Sequence, residues 1–204
     1  MTVPVKITLI CEKEARTSAI LGVVGALIFL FAFPKGSIST LVHEVLGLPG
    51  PGAGIGLVLG PFLIVVAVVS SLLSHGSGGA LIASLMFAVA YALIVHLFKI
   101  PTSQKGVFGS SLFIVAVIVF SVVSEAAMAL GKRLSMVWRC MLCGAMANVV
   151  LLVIYWTVIF PGTAGWIRWS DAPVLVGLCF VCGLVSGCIA WGISRPLSKA
   201  LAVK

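Results

Sequence analysis

Apolar residues occur in long, nearly unbroken runs along this chain, separated by short polar or Pro/Gly-containing segments. A helix needs about 20 consecutive apolar residues to cross a bilayer core. Six runs come close to this length. They predict helices over residues 17–33, 54–73, 79–98, 108–130, 136–160 and 172–193. The alternating pattern of membrane-spanning strands is missing from the sequence. We therefore expect an all-α, polytopic membrane protein, with a bundle of about six transmembrane helices in a single membrane domain over residues 1–204.

The composition excludes most soluble classes of protein. Hydrophobic residues make up 61% of the 204 residues, and charged residues only 9%. Globular domains have about 45–50% apolar and about 25% charged residues. This chain is therefore not a soluble enzyme, a disordered regulator or a conventional nucleic-acid-binding protein. The sequence also lacks HExxH, Walker A and GxSxG motifs, so no enzymatic activity and no cofactor are predicted.

The basic residues predict the orientation in the membrane. With six spans both termini lie on one side, and nine of the 13 Lys and Arg residues fall on that side, against four on the other. Cytoplasmic loops carry the excess of Lys and Arg. We therefore expect a multi-pass protein of the cell membrane with both termini cytoplasmic. Tyr155, Trp156, Trp166 and Trp169 cluster near the predicted outer rim, as in an aromatic belt.

Small residues recur at a spacing of four in several predicted helices. Spacing of four places side chains on one helix face, and small side chains let two backbones approach closely. The first helix is the strongest candidate for docking a partner subunit, and packing within the chain is the alternative. Its small residues are Ala15, Ser18, Ala19, Gly22 and Ala26.

Two CxxC pairs suggest either chemistry or packing. In a soluble protein, Cys140–Cys143 and Cys179–Cys182 would suggest a zinc, iron–sulfur or redox site. Here the two pairs lie at depths that differ by roughly 10–15 Å, given a rise of about 1.5 Å per residue. We therefore interpret these cysteines as small apolar packing residues and predict no metal.

Few polar side chains lie inside the predicted spans. Glu125, near the inner end of the fourth helix, is either functional or paired with a nearby Lys or Arg. Asn148, in the middle of the fifth helix, is expected to form hydrogen bonds between helices. His43, Glu44 and His96 are all predicted near the outer face, so they could meet in a metal site. The sequence gives this site little support, because His96 is far along the chain from the adjacent His43 and Glu44.

The whole-chain pattern resembles the substrate-binding S components of energy-coupling-factor (ECF) vitamin transporters. The likeness lies in the segment KEARTSAILGVVGALIFLF, with small residues four apart, and in the Pro/Gly turn and second helix LPGPGAGIGLVLGPFLIVVAVVSSLL. The resemblance implies six helices, both termini inside, and a helix 1 stripe that faces a membrane coupling subunit. It also implies separate ATPase subunits, since this chain has no nucleotide-binding motif. The cobalt/nickel branch has histidine at the second position, where this chain has Thr2, which argues against those metals.

The resemblance further implies a substrate pocket that opens outward and takes up a small vitamin-like molecule. Such sites are mostly apolar, with a few polar groups that fix orientation. Aromatic faces would stack a flat ring, and Arg168 would pair with a carboxylate or phosphate. The candidate substrate-binding residues are Lys35, His43, Glu44, His96, Trp166, Arg168, Trp169 and Asp171.

Two other functions stay open at this point. The chain could be a structural or assembly subunit of a membrane complex, with glycine-rich helices that pack among partners. It could also be a metal or redox membrane protein that uses its CxxC pairs. A stabilising ligand, a stoichiometric partner and a bound metal would distinguish the three functions.

Overall fold

The computed structural model describes residues 11–33, 42, 44, 47, 52–74, 78–98, 111–159 and 172–202, and within them all regular secondary structure is helical. Six helices are long and apolar enough to cross a membrane, so the chain is a helical, multi-pass membrane protein. They are α1 (Glu12–Ala32), α2 (Ile55–Leu73), α3 (Gly79–Leu97), α4 (Ser111–Leu130), α5 (Met136–Ile154) and α6 (Ala172–Ala202).

Two of these spans contain π-helical segments. The first turns of α2, Ile55–Leu59, are π-helical and continue into an α-helix at Gly60. A second π-helical segment, Tyr155–Ile159, extends α5. Isolated π turns are rare, and they occur often at functional sites.

Contacts between helices fix the directions of the chain. α1 and α3 run parallel, because Gly22 lies against Ala83 and Phe29 lies against Phe87 and Tyr91.

The remaining helices are oriented relative to this pair by two further contacts. Glu125, near the carboxyl end of α4, binds the start of α3, and α5 begins shortly after α4 ends. α5 and α6 run antiparallel, because Gly144 faces Gly183 and Gly187 lies on the Cys140 carbonyl. The amino end of α1 and the carboxyl end of α6 therefore lie at one end of the bundle, which we call the basic end. The opposite end, with both π-helical segments, is called the loop end.

Two helix boundaries differ from the sequence-based prediction. α1 begins at Glu12 rather than near residue 17. Glu12 and Glu14 suit the positive amino end of a helix, and the Glu14 carboxylate accepts the backbone N–H of Cys11 at 3.2 Å. α6 continues through Pro196 to Ala202 rather than ending near residue 193. Pro196 has no N–H to donate to the carbonyl of Gly192. Gly192 is exposed near the basic end, where water or lipid headgroups can donate to that carbonyl instead.

The basic end has a charge surplus among the described residues. Its three carboxylates all have partners: Glu12 pairs with Arg16 at 2.5 Å, Glu14 binds Cys11, and Glu125 binds backbone groups at the start of α3. The cations at this end are Lys13, Arg16, Lys132, Arg133, Arg139, Arg195 and Lys199.

Candidate functional site

The two π-helical segments meet at the loop end through Gly52 and the start of α2. Gly52 has a φ of +97°, which L side chains rarely adopt. A Cβ at this position would lie 3.0 Å from Trp156 Nε1 and 3.0 Å from Tyr155 Cδ1. Gly52 is therefore required both by its backbone conformation and by the close approach of the two aromatic side chains.

Tyr155 and Trp156 are buried at this contact, each with a relative exposure of 6%. The prediction that they form part of an aromatic belt facing lipid is therefore wrong. The π-helical turn advances fewer degrees per residue than an α-helix, and both side chains face the interior against the segment before α2. Trp166 and Trp169 lie outside the described residues.

Asn148 connects three helices at a position further from the loop end than the Gly52 contact. It is fully buried, and its Nδ2 donates to the carbonyl oxygens of Gly56 at 2.8 Å and Cys179 at 2.7 Å. The prediction of hydrogen bonds between helices is confirmed. Asn148 therefore connects α5 to the π-helical turn of α2 and to α6.

The Gly56 carbonyl needs this donor because of Pro61. In the π-helical turn the N–H of Gly60 bonds to the carbonyl of Ile55. The next carbonyl, that of Gly56, would take the N–H of residue 61, but proline has none. A carbonyl without a partner in a membrane interior costs several kcal/mol, by the ~2–7 kcal/mol scale for burying an amide. Asn148 supplies the missing donor from another helix.

Gly60 leaves space for Oδ1, the oxygen of the Asn148 side-chain amide. A Cβ on Gly60 would collide with Asn148 Oδ1, which has no hydrogen-bond donor among the described residues. The oxygen thus lies directly against the Gly60 backbone, where a Cα–H contact is a weak partner. The sequence signal for this arrangement was a spacing of four among Gly52, Gly56 and Gly60, with Pro61 directly after them.

The predicted substrate-binding residues are only partly described by the structure. His96 is exposed in the last turn of α3, at the loop end, and Glu44 is also exposed. Lys35, His43, Trp166, Arg168, Trp169 and Asp171 lie outside the described residues, so the predicted pocket stays a prediction.

The helix 1 stripe packs largely within the chain. Ser18 and Ala26 are buried, and a Cβ on Gly22 would collide with the carbonyl oxygen of Ala83 in α3. These three residues therefore serve the alternative role, close packing inside the fold. Ala15 and Ala19 are half-buried at the edge of this face, and for them docking of a partner stays a prediction.

The cysteine pairs lie at different depths, as predicted. Cys179 Sγ lies against Gly56, whereas the Cys140 carbonyl lies against Gly187, eight residues further along α6. Eight residues of helix span about 12 Å, so the two pairs do not form one site. Cys140 and Cys179 are both fully buried, and no group of three or more potential metal ligands occurs within the described part of the chain.

Glu125 has a different partner from those expected. The sequence suggested an ion pair with a Lys or Arg, but Glu125 Oε1 accepts the backbone N–H groups of Gly78 at 3.2 Å and Ala80 at 2.8 Å. Gly78 precedes α3 with a φ of +112° and has no side chain that could cap the helix. Glu125, from α4, therefore caps the amino end of α3.

Comparison with known proteins identifies this architecture. No protein-family model and no curated protein sequence matches the chain. A solved structure does match: the crystal structure of an S component of an ECF transporter. The superposition has a TM-score of 0.65 and covers 93% of this chain and 86% of that one, at 18% sequence identity. The chain therefore has the fold of an ECF S component, as the sequence resemblance implied.

Proposed function

We propose that this chain is the membrane-embedded, substrate-binding subunit of a multi-subunit transporter of the ECF type. The observation that carries the proposal is the likeness in fold to an ECF S component over 93% of the chain. The six membrane-crossing helices and the Pro/Gly segment before α2, which the sequence resemblance rests on, also support it. On this proposal the chain takes up a small, vitamin-like molecule.

The loop end is where we place the substrate. Three segments between helices, residues 34–51, 99–110 and 160–171, connect helix ends on this side of the bundle. The first and the last contain all the candidate aromatic and charged residues except His96. At this end of the bundle, Gly52 packs against Tyr155 and Trp156, and Asn148 bonds to Gly56 one turn further along α2. A rigid layer of packed side chains at this end suits a site that binds one small molecule in one orientation.

The proposal also implies partners and an orientation. With the basic end facing the cytoplasm, as the excess of Lys and Arg favours, the loop end opens outward. A membrane coupling subunit would contact the exposed side of α1 next to Ala15 and Ala19, and separate ATPases would supply the energy.

Ligand-dependent thermal stabilisation of the purified chain tests the substrate. A panel of flat, water-soluble vitamins is added to the protein in detergent, and the unfolding midpoint is recorded. We expect one compound to raise the midpoint by about 5–15 °C, the scale for a ligand at 100 to 1,000 times its Kd. Trp166→Ala and Arg168→Ala should abolish that rise, whereas Arg16→Ala, at the basic end, should retain it.

The same preparation distinguishes the other functions. A stoichiometric membrane partner with no ligand effect would favour a structural subunit and contradict the proposal. Zinc or iron that is lost when Cys140, Cys143, Cys179 and Cys182 are replaced by alanine would favour a metal protein instead.

A further inference from the structure

The turn between α4 and α5 combines cations with exposed apolar side chains. Lys132 and Arg133 are exposed, and Arg139 follows in the first turn of α5. Four apolar side chains with large exposed fractions lie near them in the sequence: Leu130 81%, Leu134 45%, Met136 45% and Trp138 58%. We call residues 130–139 the basic turn.

Arg139 is held in a fixed position within the basic turn. Its Nε donates to the carbonyl oxygen of Met128, near the carboxyl end of α4. Its stem packs on Gly131, where a Cβ would lie 2.9 Å from Arg139 Cγ. Its terminal amino groups bond to no other described residue, so a guanidinium fork is ready for a bidentate acceptor such as phosphate.

No carboxylate of the described residues neutralises these three cations. Glu125 is the nearest along α4, and its Oε1 binds the backbone of Gly78 and Ala80. Glu12 and Glu14 have local partners at the start of α1. The positive charge of the basic turn is therefore available to an external anion.

The position of the turn decides which anion fits. It joins the ends of two membrane-crossing helices, which places it at the level of the lipid headgroups. An acidic soluble peptide would leave Leu130, Leu134 and Trp138 exposed to water, whereas a lipid offers a phosphate for the cations and hydrocarbon for these apolar side chains.

We propose that the basic turn is a binding site for an anionic phospholipid, with Arg139, Lys132 and Arg133 on the headgroup phosphate and Leu130, Leu134 and Trp138 against the upper acyl chains. This site is separate from the loop end, and its test does not depend on the transported substrate.

Native mass spectrometry of the purified chain in an uncharged detergent measures the binding. The probes are phosphatidylglycerol and phosphatidylcholine with identical acyl chains. We expect phosphatidylglycerol to bind at least tenfold more tightly. Lys132→Gln combined with Arg133→Gln should weaken it about thirtyfold, since each cation at an anionic surface contributes roughly 1 kcal/mol, and should leave phosphatidylcholine binding unchanged.

A matched variant distinguishes lipid binding at the basic turn from attraction by the overall positive charge of the basic end. Lys13→Gln combined with Lys199→Gln removes the same charge from exposed residues at the same end of the bundle. We expect phosphatidylglycerol binding to be retained in it. Arg139→Lys keeps the charge and loses the planar fork, so a several-fold loss is expected there.

Four results would overturn the proposal. Equal loss in the two double variants would indicate attraction by net charge alone, and equal affinity for the two lipids would show no headgroup selection. Displacement of the lipid by millimolar inorganic phosphate would indicate a site for the free anion. A co-expressed membrane subunit lost only from the Lys132/Arg133 variant, with no preference among lipids, would assign the basic turn to a protein.

Discussion

Helix packing in this molecule takes two contrasting forms. Along α5 and α6, glycines bring backbone against backbone: Gly144 and Gly183 face each other, and Gly187 lies on the Cys140 carbonyl. We call this contact the glycine seam. Between α1, α2 and α3 the space is instead filled by rings, with centroids 5.2–6.2 Å apart. This aromatic cluster consists of Phe29, Phe33, Phe62, Phe87 and Tyr91.

The difference follows from what drives association in lipid. Apolar surface gains little by leaving hydrocarbon, so helices associate through close packing and hydrogen bonds. The glycine seam gains contact by bringing two backbones together, and nothing in it can rotate away from an added atom. The aromatic cluster gains contact through side chains, which have other rotamers. We therefore expect the glycine seam to be intolerant of substitution and the aromatic cluster to be adaptable.

Gly183→Ala should have the largest effect. Its Cβ would lie 2.7 Å from Ala145 Cα and 2.8 Å from the carbonyl carbon of Gly144, so α5 and α6 must separate. We expect a loss of about 3 kcal/mol in the free energy of unfolding, at the upper end for overpacking, measured by thermal unfolding in detergent.

Gly192→Ala is the matched control on the same helix. A Cβ there meets nothing within 4 Å, and alanine favours helix by up to about 1 kcal/mol over glycine. Its stability should be unchanged or raised. An equal loss of stability in Gly183→Ala and Gly192→Ala would contradict the distinction between glycines that are closely packed and glycines that are open.

Asn148→Ala should have the next largest effect, because it leaves the Gly56 carbonyl without a donor. We expect a loss of about 2 kcal/mol, within the usual ~1–3 kcal/mol for an unsatisfied buried group. The measurement is again the unfolding midpoint in detergent.

Pro61→Ala sharpens this test, because it restores an N–H that can reach the Gly56 carbonyl. In that background Asn148→Ala should cost about half as much, a coupling that a double-mutant cycle detects. Additive losses would show that Asn148 stabilises the fold in some other way.

Phe87→Leu should cost only about 1 kcal/mol. The fully buried ring contacts Phe29, Phe62 and Tyr91. Leucine keeps much of its volume, and ring pairs contribute roughly 0.5–1.5 kcal/mol beyond burial. A loss as large as that of Gly183→Ala would refute the adaptability of the aromatic cluster.

Cys143→Ala should have the smallest effect. The thiol makes one weak hydrogen bond, from Sγ to the Ser124 carbonyl at 3.3 Å, so we expect less than about 0.5 kcal/mol. Metal analysis of the purified variant is the companion measurement: an altered zinc or iron content would contradict a packing role.

The sequence allowed much of the fold to be predicted, because six apolar runs leave few alternatives in a bilayer. Proline and glycine were harder to interpret. Pro196 looked like the end of the last helix, yet α6 passes through it, since the interrupted hydrogen bond lies at an exposed position. Tyr155 and Trp156 looked like interfacial anchors because of their residue type and their position near the end of a span. The π-helical turn that directs both side chains inward has no clear signal in the sequence.

The candidate site was less predictable than the fold. Asn148 could be identified as a link between helices from its type and depth alone. Its acceptors, Gly56 and Cys179, are 92 and 31 residues away, and only the packed bundle brings them together. The partner of Glu125 was missed for a related reason: the nearby cations are visible in the sequence, whereas free backbone N–H groups at the start of α3 are not.

The cap that Glu125 places on α3 has a consequence for biogenesis. The carboxylate is 45 residues downstream of Ala80, one of the two N–H groups that it satisfies. At about 5–20 residues per second of synthesis, α3 emerges from the ribosome roughly two to nine seconds before its cap does. During that interval the amino end of α3 depends on water or headgroups for its hydrogen bonds. We therefore expect α3 to settle at its final depth only when α4 has entered the membrane, so that the two helices are inserted as a pair.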